Sequence, residues 1–136
     1  MENMLVNICD VCSEIFAGGD APKERFSAAR TADFTIPVYS NSGANEGLYG
    51  YTDYSRVDAP SITVSARGTI GYIAIRNEPF VPIVRLITLT PNLNIIDIKY
   101  LYYALKNYKF SKNGTSIPQL TVPMIKKYSF KLYSIA

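Results

Sequence analysis

Alternation of apolar and polar positions is clearest in the middle of the chain. Ser61-Ile62-Thr63-Val64-Ser65 alternates strictly, a turn follows at Ala66-Arg67-Gly68, and Thr69-Ile70-Gly71-Tyr72-Ile73-Ala74-Ile75 forms a second β-branched run. Two such runs around a glycine turn predict a hairpin. Gly71 inside the second run predicts a bulge or a close backbone approach. Residues 81–89 are again rich in β-branched side chains and predict a further strand, with Pro82 near its start. The period then changes. Ile95, Ile98, Leu101, Tyr102 and Leu105 recur at helical spacing, with Lys99, Tyr103 and Lys106 on the opposite face. Asn94 suits the N-cap of this helix and Asp97 its third position, and the helix should end near Asn107. Thr121 is placed to cap a short helix that tolerates Pro123 in its first turn. Lys126 and Lys127 would then favour the C-terminal end of its dipole. Tyr128, Phe130 and Leu132 alternate with Ser129, Lys131 and Tyr133 as a last strand.

The first half is less regular. Residues 8–16 form a short apolar-rich segment that breaks at Gly18-Gly19-Asp20-Ala21-Pro22. Residues 34–39 read as a short strand, and Pro37 puts it at a sheet edge or at a strand end. Residues 40–56, dominated by Gly, Ser, Asn and Tyr, read as one long loop, a feature that is usually functional or disordered. Tyrosines there would supply rigid contact surface and Ser and Asn adaptable hydrogen bonds. The alternative is a plain surface loop. There is no internal repeat and no low-complexity linker. The fold class expected is α+β: a twisted, mostly antiparallel sheet with one long amphipathic helix and short helical turns.

Charge sharpens this picture. Residues 1–97 hold seven Lys and Arg against eleven Asp and Glu, a balance of −4, whereas the rest holds seven lysines and no carboxylate, giving the net +3 of the whole. A one-signed tail interleaved with Tyr100, Tyr102, Tyr103, Tyr108 and Phe110 points to a polyanion contact, because lysines release counterions from phosphates. The competing reading is a solvated face balanced by the acidic front. At 136 residues the chain is expected to be one domain, 1–136, large enough to bury a core. No apolar run approaches the roughly 20 residues that span a bilayer, and Met1-Glu2-Asn3-Met4-Leu5 lacks the basic start of a signal peptide. A cytoplasmic location is the default expectation.

Catalytic classes are thinly supported. Cys9 and Cys12 form a C-x-x-C, but the chain has no other Cys and no His, so a zinc site lacks two ligands and the usual triads lack their base. Two reduced, partly packed thiols are expected. Gly18-Gly19-Asp20-Ala21-Pro22-Lys23 does not have P-loop spacing, and no G-x-S-x-G occurs.

A set of short fragments, in order along nearly the whole chain, resembles the target-recognition domain of type I restriction enzyme specificity subunits. They are Gly18-Gly19-Asp20-Ala21-Pro22, Ile36-Pro37-Val38-Tyr39, the stretch from Ile62 to Gly71, Leu101-Tyr102-Tyr103-Ala104-Leu105, the stretch from Asn113 to Leu120, and Val122-Pro123-Met124-Ile125. The resemblance implies a non-catalytic, sequence-specific reader of one half of a split duplex DNA site, with no cofactor of its own. Its implied partners are double-stranded DNA, the modification (methyltransferase) subunit, which carries out methyl transfer from S-adenosylmethionine, and the restriction subunit. Two departures stand out. The sequence ends at Ala136 without the spacer helix and second recognition domain, and Phe130-Lys131-Leu132-Tyr133 lacks the proline usual after the leucine. An excised domain, a half-subunit that pairs with a second copy of itself, and a recombined cassette all remain open.

Phosphate contacts set position and base-edge contacts set sequence. Lys99, Lys106, Lys109 and Lys112 are the phosphate candidates. Arg suits guanine and Asn or Gln suits adenine, each bidentately, at about 1–3 kcal/mol of discrimination. Candidate readers are Asn41, Asn45, Tyr49, Tyr51 and Arg56 in the loop, Arg67 on the hairpin turn, and Asn113, Thr115, Ser116 and Gln119 in the polar turn near 113–119. Each has a structural alternative. Gln119 could cap the following helix, Asn113-Gly114 could be a plain turn, and Arg67 could satisfy local carbonyls. A protein-interaction domain using residues 40–56 is the competing function.

Overall fold

The computed structural model describes residues 3–42, 44–67, 70–108 and 119–133. The chain is α+β, with its strands in three sheets rather than one. A ribbon pairs β1 (Asn3–Asn7) with β10 (Ser129–Tyr133). A central sheet holds β2 (Cys12–Ala17), β9 (Ile87–Pro91), β6 (Ser61–Val64) and β7 (Ile73–Arg76), in that order and antiparallel throughout. A second four-stranded sheet holds β3 (Phe26–Ser27), β5 (Leu48–Thr52), β4 (Ile36–Tyr39) and β8 (Val81–Pro82). The β4–β8 pair is parallel and short, Val38 facing Val81 and Tyr39 facing Pro82.

One apolar face of β6 carries the main core. Ile62, Val64 and Ala66 are buried with Ile87 and Leu89 of β9, Ile8 and Val11 of the one-turn helix α1 (Ile8–Val11), Leu101 and Leu105 of α2 (Ile98–Lys106), and Ile125 of α3 (Val122–Lys126). Leu101 and Leu105 lie four apart on α2 and so share the face turned to the sheet. The polar positions of β6 are buried as well. The Ser61 and Thr90 hydroxyls lie 2.7 Å apart, Thr63 accepts from Arg76, and Ser65 accepts from the Tyr72 amide. A second, smaller cluster of Val38, Val81 and Ile83, with Ala21, Phe26 and Ile36, holds the other sheet.

Several expectations are corrected. The helix begins at Ile98 with Asp97 as its cap, not Asn94, because Asn92 claims the preceding residues: its side chain accepts from the Asn94 amide and its carbonyl from the Ile95 and Ile96 amides. Nine residues of helix result, shorter than expected, and Ile95 is exposed. The run 81–89 is not one strand. It turns at Val84 and Arg85, so β8 and β9 serve different sheets, and a fully buried apolar run gives no periodic sign of such a crossing. Residues 40–56 are not one loop, since β5 occupies Leu48–Thr52 in the interior of the second sheet. The hairpin of β6 and β7 is real but wider than expected, with β7 starting at Ile73 after a turn in which Gly71 has φ +89°. Pro37 faces Tyr51 one residue before the β8 pairing begins, so its missing N–H costs no ladder bond there. Thr121 caps α3 as expected, accepting from the Met124 amide at 3.3 Å.

Candidate nucleic-acid interface

Ala66 sits just past the end of β6 and is 1% exposed. Its two main-chain polar groups are both taken by distant parts of the chain. The Asn41 side-chain oxygen accepts from the Ala66 amide at 2.8 Å, and the Ala66 carbonyl accepts from the Leu120 amide at 2.8 Å. Three candidate readers from three segments, Asn41, Arg67 and Gln119, are thereby brought to one place. Arg67 is exposed there. Gln119 is half-buried and accepts from Arg85 Nη1 at 3.0 Å, so it does not serve as the cap of α3. Asn41 is half-buried, and its oxygen is committed to holding the turn.

The remaining candidates are spread over two further surfaces. Tyr49 and Tyr51 both belong to β5, but the register shifts opposite Val38 and Tyr39 so that Tyr49 is the extra residue of a bulge, and the two do not simply alternate onto one face. Tyr49 is exposed with its ring 5.3 Å from that of Phe26, and Tyr51 is half-buried. Asn45 is exposed on the turn between β4 and β5. Arg56 is exposed and lies over the Phe16 ring at 4.5 Å, away from Ala66 in the chain and anchored through its amide to the Phe80 carbonyl. Lys99 and Lys106 are exposed at the two ends of α2, about 10 Å apart along its axis. Exposed Tyr103 lies between them in sequence, and the Lys106 ammonium sits 5.3 Å from the Tyr102 ring. Lys109, Lys112, Asn113, Thr115 and Ser116 lie outside the described residues.

Two arginines at these surfaces escape sequence reading. Arg85 lies within an apolar run and looked like part of a strand. Arg25 pairs with Asp53 at 2.7 Å beside the Tyr54 ring, on the exposed edge of the second sheet. A cleft of about 640 Å³ opens between Tyr39, Tyr72, Tyr102 and β7, lined by two carboxylates, Glu46 and Glu78, against one cation, Arg76. Among the described residues no cluster of His, Cys, Asp and Glu could hold a metal ion, and no helix is long and apolar enough to cross a membrane. Cys9 is exposed; burial, and then the neighbouring Cys9, pushes the half-buried Cys12 thiol up to about 12.

The type I restriction modification DNA specificity domain matches residues 2–132. The chain belongs to that family. Two proteins of Mycoplasma pneumoniae that bear the name of type I specificity subunits, S.MpnORF89P and S.MpnORF507P, are each 35% identical over 98% of this chain. The chain spans 39% and 36% of their respective lengths. The fold is shared with the S subunit of a type I restriction–modification system from M. genitalium, at a TM-score of 0.72 and 18% identity over 97% of this chain and 34% of that one. It is equally shared with the HsdS subunit of Thermoanaerobacter tengcongensis, at 0.72 and 15% identity over 96% and 33%. The specificity-domain family thus accounts for the α+β architecture and the order of its strands and helices.

Proposed function

We propose that residues 1–136 act as a single recognition domain that reads one half of a bipartite duplex DNA target for a type I restriction–modification complex. The observation that carries this reading is the meeting of Asn41, Arg67 and Gln119 around the Ala66 backbone, within a specificity-domain fold. Asn41 and Gln119 spend their side-chain oxygens on the Ala66 amide and on Arg85 and so hold the anchor, on which exposed Arg67 offers the fixed donor pattern that base-edge reading requires. Arg67, with Arg85 behind Gln119, is the leading guanine reader. Asn45, Tyr49, Tyr51, Arg56, Asn113, Thr115 and Ser116 are further contacts. Lys99, Lys106, Lys109 and Lys112 supply sequence-blind phosphate attraction. The domain does no bond chemistry. The modification subunit methylates, the restriction subunit cleaves, and the assembly works in the cytoplasm.

A second reading is favoured by the tyrosine-lined, carboxylate-bearing cleft beside β7, which suits a protein segment better than a phosphate backbone. The two separate on salt: duplex binding through several phosphates weakens steeply from low to moderate salt, and a tyrosine-centred protein contact changes little.

The test is a domain exchange. Residues 1–136 replace one recognition domain of a complete specificity subunit whose methylation pattern is known, and methylated sites are mapped. The expected result is a change in one half of the bipartite site with the other half kept. An assembled chimera that keeps the old pattern, or methylates nothing, overturns the proposal.

A further inference from the structure

Arg76 is a buried cation in the wrong place for a surface reader. It ends β7 at 7% exposure, and its guanidinium lies 3.6 Å from the Tyr39 ring centroid. Its Nε donates to the Thr63 hydroxyl at 3.0 Å, on the buried polar face of the central sheet. Its Nη2 donates to the Glu46 main-chain carbonyl at 2.6 Å, in the turn that joins β4 to β5. One side chain therefore ties the central sheet to Tyr39 of the second sheet and to the turn beyond it.

That turn is held in an unfavourable form. Asn45, Glu46 and Gly47 have consecutive φ values of +50°, +57° and +84°. Left-handed backbone is disfavoured for residues with a Cβ, and it persists only where the surroundings dictate it. Within the turn the Ser40 amide and hydroxyl bond the Gly47 carbonyl and the Ser40 and Ser42 hydroxyls accept from the Ser42 and Ala44 amides, while the ties to the rest of the chain include Asn41 to Ala66 and Arg76 to Glu46. A Cβ on Gly47 would stand 3.1 Å from the Ser40 carbonyl and 3.4 Å from Arg76 Nη2.

We propose that Arg76 is a positioning residue for target reading, clamping the Ala44–Gly47 turn so that Asn45 meets the DNA in one fixed pose. The inference rests on the recognition reading above and adds a buried residue that touches no DNA. Burial lowers the pKa of the guanidinium, while Tyr39 and the Glu46 carboxylate favour its charged form. The clamp acts through geometry, so its loss blurs which bases are accepted without removing a phosphate contact.

The test uses the chimeric complex with Arg76→Met, Arg76→Lys and, as an independent way to loosen the same turn, Gly47→Ala. The readout is the ratio of methylation at the cognate site to that at sites with one altered base pair, in each half-site separately. Expected for Arg76→Met and Gly47→Ala is about a tenfold fall in that ratio, the scale of one misread base pair. The fall is confined to the half-site read by this domain, with the salt slope of DNA binding unchanged. Arg76→Lys, which keeps one bond to Glu46, recovers part of it. A merely structural role would lower thermal stability and total methylation while leaving the ratio intact, and that result overturns the proposal. Failure of all three variants to assemble also overturns it, since the cluster would then be a folding element only. An unsubstituted chimera that keeps the old half-site overturns the recognition reading itself before any substitution is made.

Discussion

The two four-stranded sheets differ in what holds them. The central sheet is covered by α1, α2 and α3 over a core of Ile62, Val64, Ile87, Leu89, Leu101, Leu105 and Ile125, all at 0% or 1% exposure. The second sheet rests on a smaller apolar cluster, Val38, Val81 and Ile83, and polar ties join it to the first. Apolar burial scales with area and needs no precise geometry, whereas hydrogen bonds across a sheet junction fix position more than they add stability. The difference separates a sheet held by apolar burial under three helices from one tied on by hydrogen bonds.

The largest test of that separation compares truncations at each sheet. Leu101→Ala should cost about 3 kcal/mol, within the roughly 2–5 kcal/mol range for a buried leucine. Tyr49→Ala, on the exposed face of β5, should cost about 1 kcal/mol or less. Urea denaturation of both variants checks this, and equal losses would erase the distinction. Next, Arg67→Ala should leave the denaturation midpoint nearly unchanged while costing about 1–3 kcal/mol of discrimination at one base position, read by methylation mapping. A loss spread evenly over all sequences would instead make Arg67 a phosphate contact.

A pH series sharpens the comparison from the side of the central sheet. The Cys12 pKa is about 12 in the folded chain against 9.0 ordinarily, so the folded state holds this proton more tightly. The stability it contributes is whole below pH 9.0 and is lost as pH rises toward about 12. Denaturation midpoints should fall over that window, and less so in Cys12→Ala, while exposed Cys9 reacts with alkylating reagents well before Cys12. The smallest effect expected is at Thr88, whose buried hydroxyl has no partner among the described residues. Thr88→Val should be neutral or stabilising by up to about 1 kcal/mol, measured by the same denaturation.

The sequence announced what depends on local rules. The alternation of 61–65, the 3.6 period from Ile98 to Leu105 and the Thr121 cap all reappear, because propensity and patterning act within a few residues. Strand β5 was hidden because Leu48-Tyr49-Gly50-Tyr51-Thr52 looks like loop composition, and only its pairing with β3 and β4 makes it a strand. The break of 81–89 was hidden for the converse reason, since two buried strands in different sheets read as one apolar run. Among the candidate readers, residue type and turn position pointed to Asn41, Arg67 and Gln119, but nothing local showed that they meet at Ala66. Arg76 was invisible because its role spans Thr63, Tyr39 and Glu46, which are close only after folding.

The junction at Ala66 has a consequence for how such a domain changes over generations. Its amide and carbonyl are supplied by every residue except proline, which lacks the amide, so half of the anchor is indifferent to which side chains surround it. On the proposed recognition reading, Arg67 can therefore be exchanged by mutation while the backbone frame that carries it stays in register. A new preference can arise by altering what is displayed, without first redesigning the mount.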